Sequence, residues 1–121
     1  MKLSAINFSD KLALFNDHWA PKVIAEMNDY QFKLVKMRGD FVWHNHPETD
    51  EVFMVIAGQL DIEFSDKTVS LNAGEMLVVP KGVNHKPRAH NECSVMLIEP
   101  KGVINTGAAE STLTAENDIW L

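Results

Sequence analysis

Short apolar runs, many alternating with polar residues, recur roughly every ten residues along most of this chain, which is the spacing of successive β-strands. Val23-Ile24-Ala25-Glu26-Met27 and Gln31-Phe32-Lys33-Leu34-Val35-Lys36-Met37 predict two strands around the turn Asn28-Asp29-Tyr30, and Arg38-Gly39-Asp40 is the next break. Further short strands are predicted over 41–46, 51–57, 59–64, 68–72, 76–79, 85–89 and 94–99, separated by Gly, Pro, Asn or Asp. No long amphipathic helix interrupts the series. The pattern therefore predicts an all-β, antiparallel sandwich or barrel, with a jelly roll as its natural closure. Before the strands, Ser9 is placed to cap a short helical turn over 10–15, which Trp19-Ala20-Pro21 would end. Phe32, Leu34, Val35 and Met37 make both faces of their strand apolar, so both faces must be covered.

At 121 residues the chain fits one domain, 1–121, with a core barrel at about 23–99 and a tail over 100–121. The tail begins with small and turn residues and is expected to cross the surface. It ends in Ile119-Trp120-Leu121, which should dock on its own barrel or on a second subunit rather than stay in water. A net charge of -6 with no basic run excludes a nucleic-acid or anionic-membrane surface. The first ten residues carry Ser, Asn and Asp where a signal peptide needs an apolar core, and no stretch approaches the roughly 20 apolar residues of a membrane span. The one cysteine, Cys93, has no partner for an internal disulfide and reads as a small core residue. These features lead to the expectation of a cytoplasmic protein.

Candidate chemistry concentrates in His44, His46, Glu51 and His85. On an extended segment the triplet His44-Asn45-His46 points both imidazoles the same way, about 7 Å apart. Pro47-Glu48-Thr49-Asp50 reads as a turn that returns the Glu51 carboxylate toward them, and His85 follows a second strand and turn. Three imidazoles and one carboxylate suit one divalent transition metal, Mn, Fe, Co, Ni, Cu or Zn, and do not suit calcium. Such a site leaves positions open for water or substrate. Alternation from Glu51 and His85 puts Phe53, Val55, Pro87 and Ala89 on the ligand-facing side, giving a largely apolar substrate pocket. Trp43 should face away, toward core packing or a subunit contact. Glu48 and Asp50 read as solvated turn residues. Lys33, Lys36, Arg38, Lys81 and Arg88 read as solvated charges, and His18 and His90 as structural or exposed.

These residues resemble the small single-domain cupins. The first cupin motif is matched by Gly39, His44, His46, Glu51 and Gly58, and the second by Gly74, Pro80, Gly82 and His85. The chain departs where the family often has an asparagine four residues after the second-motif histidine and Ala89 stands here. Trp43-His44-Asn45-His46, Thr49-Asp50-Glu51, Ile98-Glu99-Pro100-Lys101-Gly102 and Asn105-Thr106-Gly107 are similar to a bacterial group loosely labelled mannose-6-phosphate-isomerase-like. The resemblance implies an antiparallel double-stranded β-helix, a bound metal, a small-molecule ligand or substrate and a homodimer. It leaves three activities open: an isomerase or lyase on a carbohydrate-like, carbonyl or enol compound, a dioxygenase on an apolar or aromatic compound, and a non-catalytic binder.

Overall fold

The computed structural model describes residues 3–121. One helix, α1 (Phe8–Leu12), precedes seven strands: β1 (Lys22–Met27), β2 (Tyr30–Asp40), β3 (Glu51–Ala57), β4 (Gln59–Glu63), β5 (Thr68–Asn72), β6 (Met76–Val79) and β7 (Lys86–Pro100). All strand pairings are antiparallel, in the order β1-β2-β7-β3-β6, with β4 pairing both β5 and β7. The cap of α1 is Asn7 rather than Ser9: its extended backbone lets the side chain accept from the Asp10 N–H at 2.9 Å.

β7 decides the architecture. The segments 85–89 and 94–99, expected as two strands, are one continuous strand of 15 residues. Its first residues pair with β4, through Asp61↔Arg88 and Ile62↔Pro87, its second half pairs with β3, and β2 runs along both parts. One strand thus belongs to both walls. The polar stretch His90-Asn91-Glu92 is absorbed as a bulge opposite β2, between the pairs Met37↔Cys93 and Gly39↔Ala89. At that bend Gly58 packs directly on Cys93: a Cβ on Gly58 would meet the Cys93 Cβ at 2.8 Å, and its φ of +86° favours glycine besides.

The inward residues Val35, Met37, Phe53, Val55, Leu60, Ile62, Val79, Ala89, Cys93, Val95 and Leu97 form the main core. A second cluster of Phe15, Ile24, Leu34 and Met96 fills the outer side of β1, β2 and β7, under the N-terminal segment. That explains why β2 is apolar on both faces. Leu121 packs against this second cluster, and the Val23 N–H donates to the Ile119 carbonyl at 2.7 Å, so the C-terminus lies along β1. Trp120 stays half exposed.

The reading of the segment after β2 changes as well. Residues 41–46 form no regular strand; they follow the 82–87 segment by separate hydrogen bonds, including Phe41 N to Pro87 O and a reciprocal pair between His44 and His85. Trp43 is 43% exposed, so of its two expected roles, core packing and a subunit contact, the first is not taken up within this chain.

Candidate metal centre

His44 and His85 face each other across the reciprocal backbone pair, His44 N to His85 O at 3.0 Å and His85 N to His44 O at 2.9 Å. This pairing brings two chain-distant imidazoles to ring centroids 4.3 Å apart. His46, two residues on, falls on the same side, and Glu51 opens β3 directly after the turn. All four residues are buried, and each offers one ligand atom within 4.8 Å of the others. Donors bound to one ion at about 2.0–2.2 Å stand at most ~4.4 Å apart, so an ion fits after a contraction of a few tenths of an ångström.

The ring orientations are fixed from behind. Nδ1 of His44 lies 2.9 Å from the Val42 carbonyl, and Nδ1 of His85 lies 2.9 Å from the Val83 carbonyl. A carbonyl only accepts, so each Nδ1 carries the proton and each Nε2 keeps its lone pair for the centre. Nε2 of His46 and of His85 lie 3.3 and 3.4 Å from Glu51 Oε1, yet none of these three buried atoms makes a hydrogen bond. Buried polar atoms are rarely left without partners, and three converging on one point is the arrangement a cation satisfies.

Electrostatics agree with a neutral His44 beside an anionic Glu51. Burial, then the neighbouring His85, pushes His44 down to about 4. Burial works to raise the Glu51 carboxyl, but the facing His46 and His85 outweigh it and hold it well below the ordinary carboxylate range. Aromatic rings surround the ligands: Phe41 stands edge-on to His44 and stacks on Trp19 at 4.7 Å, and Phe53 stands edge-on to His85.

Of the expected pocket residues, Phe53 and Pro87 line a narrow cavity against His44 and Glu51, together with Trp19, Val35, Leu97 and Asn105. Val55 sits deeper, in the core. The cavity offers about 20 Å³, little more than one water. A wider depression of about 440 Å³ lies on the far side of His46, between Glu48, Thr49 and the tail residues Lys101, Val103, Ile104 and Ala108. The tail closes the barrel mouth. Gly107 passes so close that a Cβ would overlap the Asn45 carbonyl, and the Asn105 amide donates to the Trp19 and Leu113 carbonyls.

Lys33 is a correction. Expected in solvent, it is 2% exposed and pairs with the equally buried Glu99, Nζ to Oε1 at 2.9 Å. Glu99 is pushed up to about 8 by burial and by the Glu51 charge, against the pull of Lys33. Sequence reasoning missed Glu99, Trp19, Phe41 and Asn105. Alternation along Val95, Leu97 and Glu99 was the available signal for Glu99, since its neighbours on that face are core residues. Arg88, paired with Asp61 and Glu63, and Lys81 are on the surface. Asp50 accepts from the Lys81 N–H at 2.8 Å and so ties the two ligand loops. His18 meets Glu92 at the surface, and His90 is exposed.

The cupin domain profile matches residues 32–99, a span that holds all four candidate ligands. The chain belongs to the cupin domain family. A cupin-2 domain containing protein from Shewanella frigidimarina is 64% identical, with a TM-score of 0.79 over 79% of this chain and 94% of that one. Protein NMB1881 from Neisseria meningitidis is 38% identical, with a TM-score of 0.74 over 81% of this cupin and 100% of that chain. The uncharacterized protein YdbB of Bacillus subtilis is 39% identical over 79 residues, 64% of this cupin and 70% of YdbB. Among the described residues no helix is long and apolar enough to cross a membrane.

Proposed function

We propose that this cupin holds one divalent transition-metal ion on His44, His46, Glu51 and His85 and acts on a small carbonyl, enol or carbohydrate-like compound by an isomerase or lyase step. The observation that carries the reading is the convergence of His46 Nε2, His85 Nε2 and Glu51 Oε1, buried and without hydrogen bonds, on one point. A bound ion there supplies a Lewis acid for a substrate oxygen. The protein's own part is orientation and exclusion of water. Val42 and Val83 fix two rings, Trp19, Phe41 and Phe53 keep the interior apolar, and Glu51, once loosened from the metal, would be the group to move a proton. A compound of more than a few atoms does not fit the 20 Å³ interior, so we place its approach at the depression beside His46, whose volume is in the range of ligand sites.

The apolar lining supports a second reading, an oxidative reaction on an apolar or aromatic compound. For the rest of the molecule we propose one domain over 1–121 and a reducing, cytoplasmic setting consistent with the free Cys93. We also propose a homodimer through the edge strand β6, where Met76 and Val78 are half exposed.

The deciding experiment loads the protein with Mn or Zn under argon. Deuterium incorporation from D₂O into aldoses, ketoses and α-hydroxy carbonyls is then followed by NMR. Exchange that disappears in His46→Ala supports the isomerase or lyase reading. Turnover only with a redox metal and oxygen uptake replaces it with the oxidative one. Ligand-induced thermal stabilisation without any turnover leaves a binding protein.

A further inference from the structure

Behind the ligands lies a buried pair with no part in ordinary barrel packing. The β3–β7 register pairs Val52 with Ile98, and one step further it sets Glu51 beside Glu99 on the inward face. The β2–β7 register sets Gln31 opposite Glu99, which makes Lys33 its diagonal neighbour on the same face. Lys33 and Glu99 are 2% and 1% exposed. Lys33 Nζ takes Glu99 Oε1 at 2.9 Å and reaches the Val103 carbonyl at 3.5 Å. Glu99 Oε2 is left buried without a partner, on the face where the strand register sets Glu99 beside Glu51.

A buried polar pair of this kind gives little net stability against apolar residues of the same volume. Two carboxyls side by side in a core add a liability rather than removing one. The arrangement makes sense as orientation. Two of the three imidazole ligands are held by backbone carbonyls, whereas Glu51 Oε1 has no hydrogen-bond partner. We infer that Glu99, anchored by Lys33, is a positioning residue for Glu51: it holds the ligand carboxyl against the imidazole cluster through Oε2. The inference rests on the metal reading above. It gives β7, which supplies none of the four ligands, a share in the centre, and it ties the start of the tail, through Val103, to the same lysine.

Glutamine at 99 keeps both contacts, an oxygen for Lys33 and an amide for Glu51, whereas leucine keeps neither. The test measures cobalt(II) affinity by chelator competition and the visible cobalt(II) spectrum, in the wild type, in Glu99→Gln and in Lys33→Met/Glu99→Leu. Melting of each metal-free protein is the control for folding. Glu99→Gln should bind within about threefold of the wild type, and the double variant should melt near the wild type yet bind ~10–100-fold more weakly with an altered spectrum. Wild-type affinity and spectrum in a folded double variant would overturn the proposal, as would a loss in Glu99→Gln as large as in the double variant. If the double variant does not fold, Glu99→Asn withdraws the polar atoms by one methylene; the same loss is expected, and unchanged binding overturns the inference. A wild-type protein that takes up no cobalt(II) overturns the metal reading itself, and the positioning role falls with it.

Discussion

At the scale of the residue, burial sets the chemistry. His44, Glu51 and Glu99 are each almost fully buried, and each titrates away from its ordinary value for a reason visible in its neighbours. In the metal-free protein this fixes the pH dependence of stability. Glu99, near 8 when folded, keeps a proton that the unfolded chain releases above its ordinary value of 4.5, so its contribution falls as pH rises from 4.5 to 8. His44, near 4 when folded, refuses a proton that the unfolded chain takes up below 6.5, so its contribution falls as pH drops from 6.5 to 4. Between 4.5 and 6.5 the two slopes oppose. From 6.5 to 8 His44 no longer opposes Glu99, and the Glu99 proton alone should cost the metal-free protein about 2 kcal/mol over that interval. Urea denaturation at pH 6.5 and 8 measures it; a Glu99→Gln variant should show a shallower limb, and an equally steep limb would contradict the assignment.

At the scale of the element, the strands were legible because period-two alternation and turn residues survive in a half-buried sheet. Glu51–Ala57, Thr68–Asn72 and Met76–Val79 stand as expected. Residues 41–46 were misread: apolar Phe41 and Val42 suggest a strand, but the segment serves to aim two imidazoles and pairs with 82–87 only at points. The continuity of β7 was hidden because His90-Asn91-Glu92 has turn-like composition, and only tertiary pairing shows it to be a bulge. The tail's contact with the ligand loop could not be read either, since Gly107 is informative only once Asn45 lies against it. Replacing Gly107 with Ala should lift this segment from the barrel mouth, because its φ is +58° and the new methyl would overlap a backbone carbonyl. We expect a loss of at least about 2 kcal/mol in stability and faster proteolytic cleavage within the tail. Unchanged melting and unchanged cleavage would show that the tail is not held there.

At the scale of the whole molecule, one barrel brings together ligands separated by as much as the distance from His44 to His85, and strand β7 links both of its walls behind them. The four candidate ligands were legible in the sequence because each side of the site is a short local pattern, His44-Asn45-His46 with Glu51 on one hairpin and His85 after the other. The supporting residues were not. Lys33 looks like any strand lysine until the second core cluster covers the outer face of β2 and leaves Lys33 on the inner one. The small interior and the wider depression outside His46 likewise depend on how the tail closes the mouth. The central claim is that this closed barrel is built around an ion. Elemental mass spectrometry on protein purified without chelator or added metal, beside His46→Ala and His85→Ala, tests it most directly. The account predicts near-stoichiometric transition metal in the wild type, lost in both variants while they remain folded; metal absent from the wild type, or retained unchanged in the two variants, would contradict it.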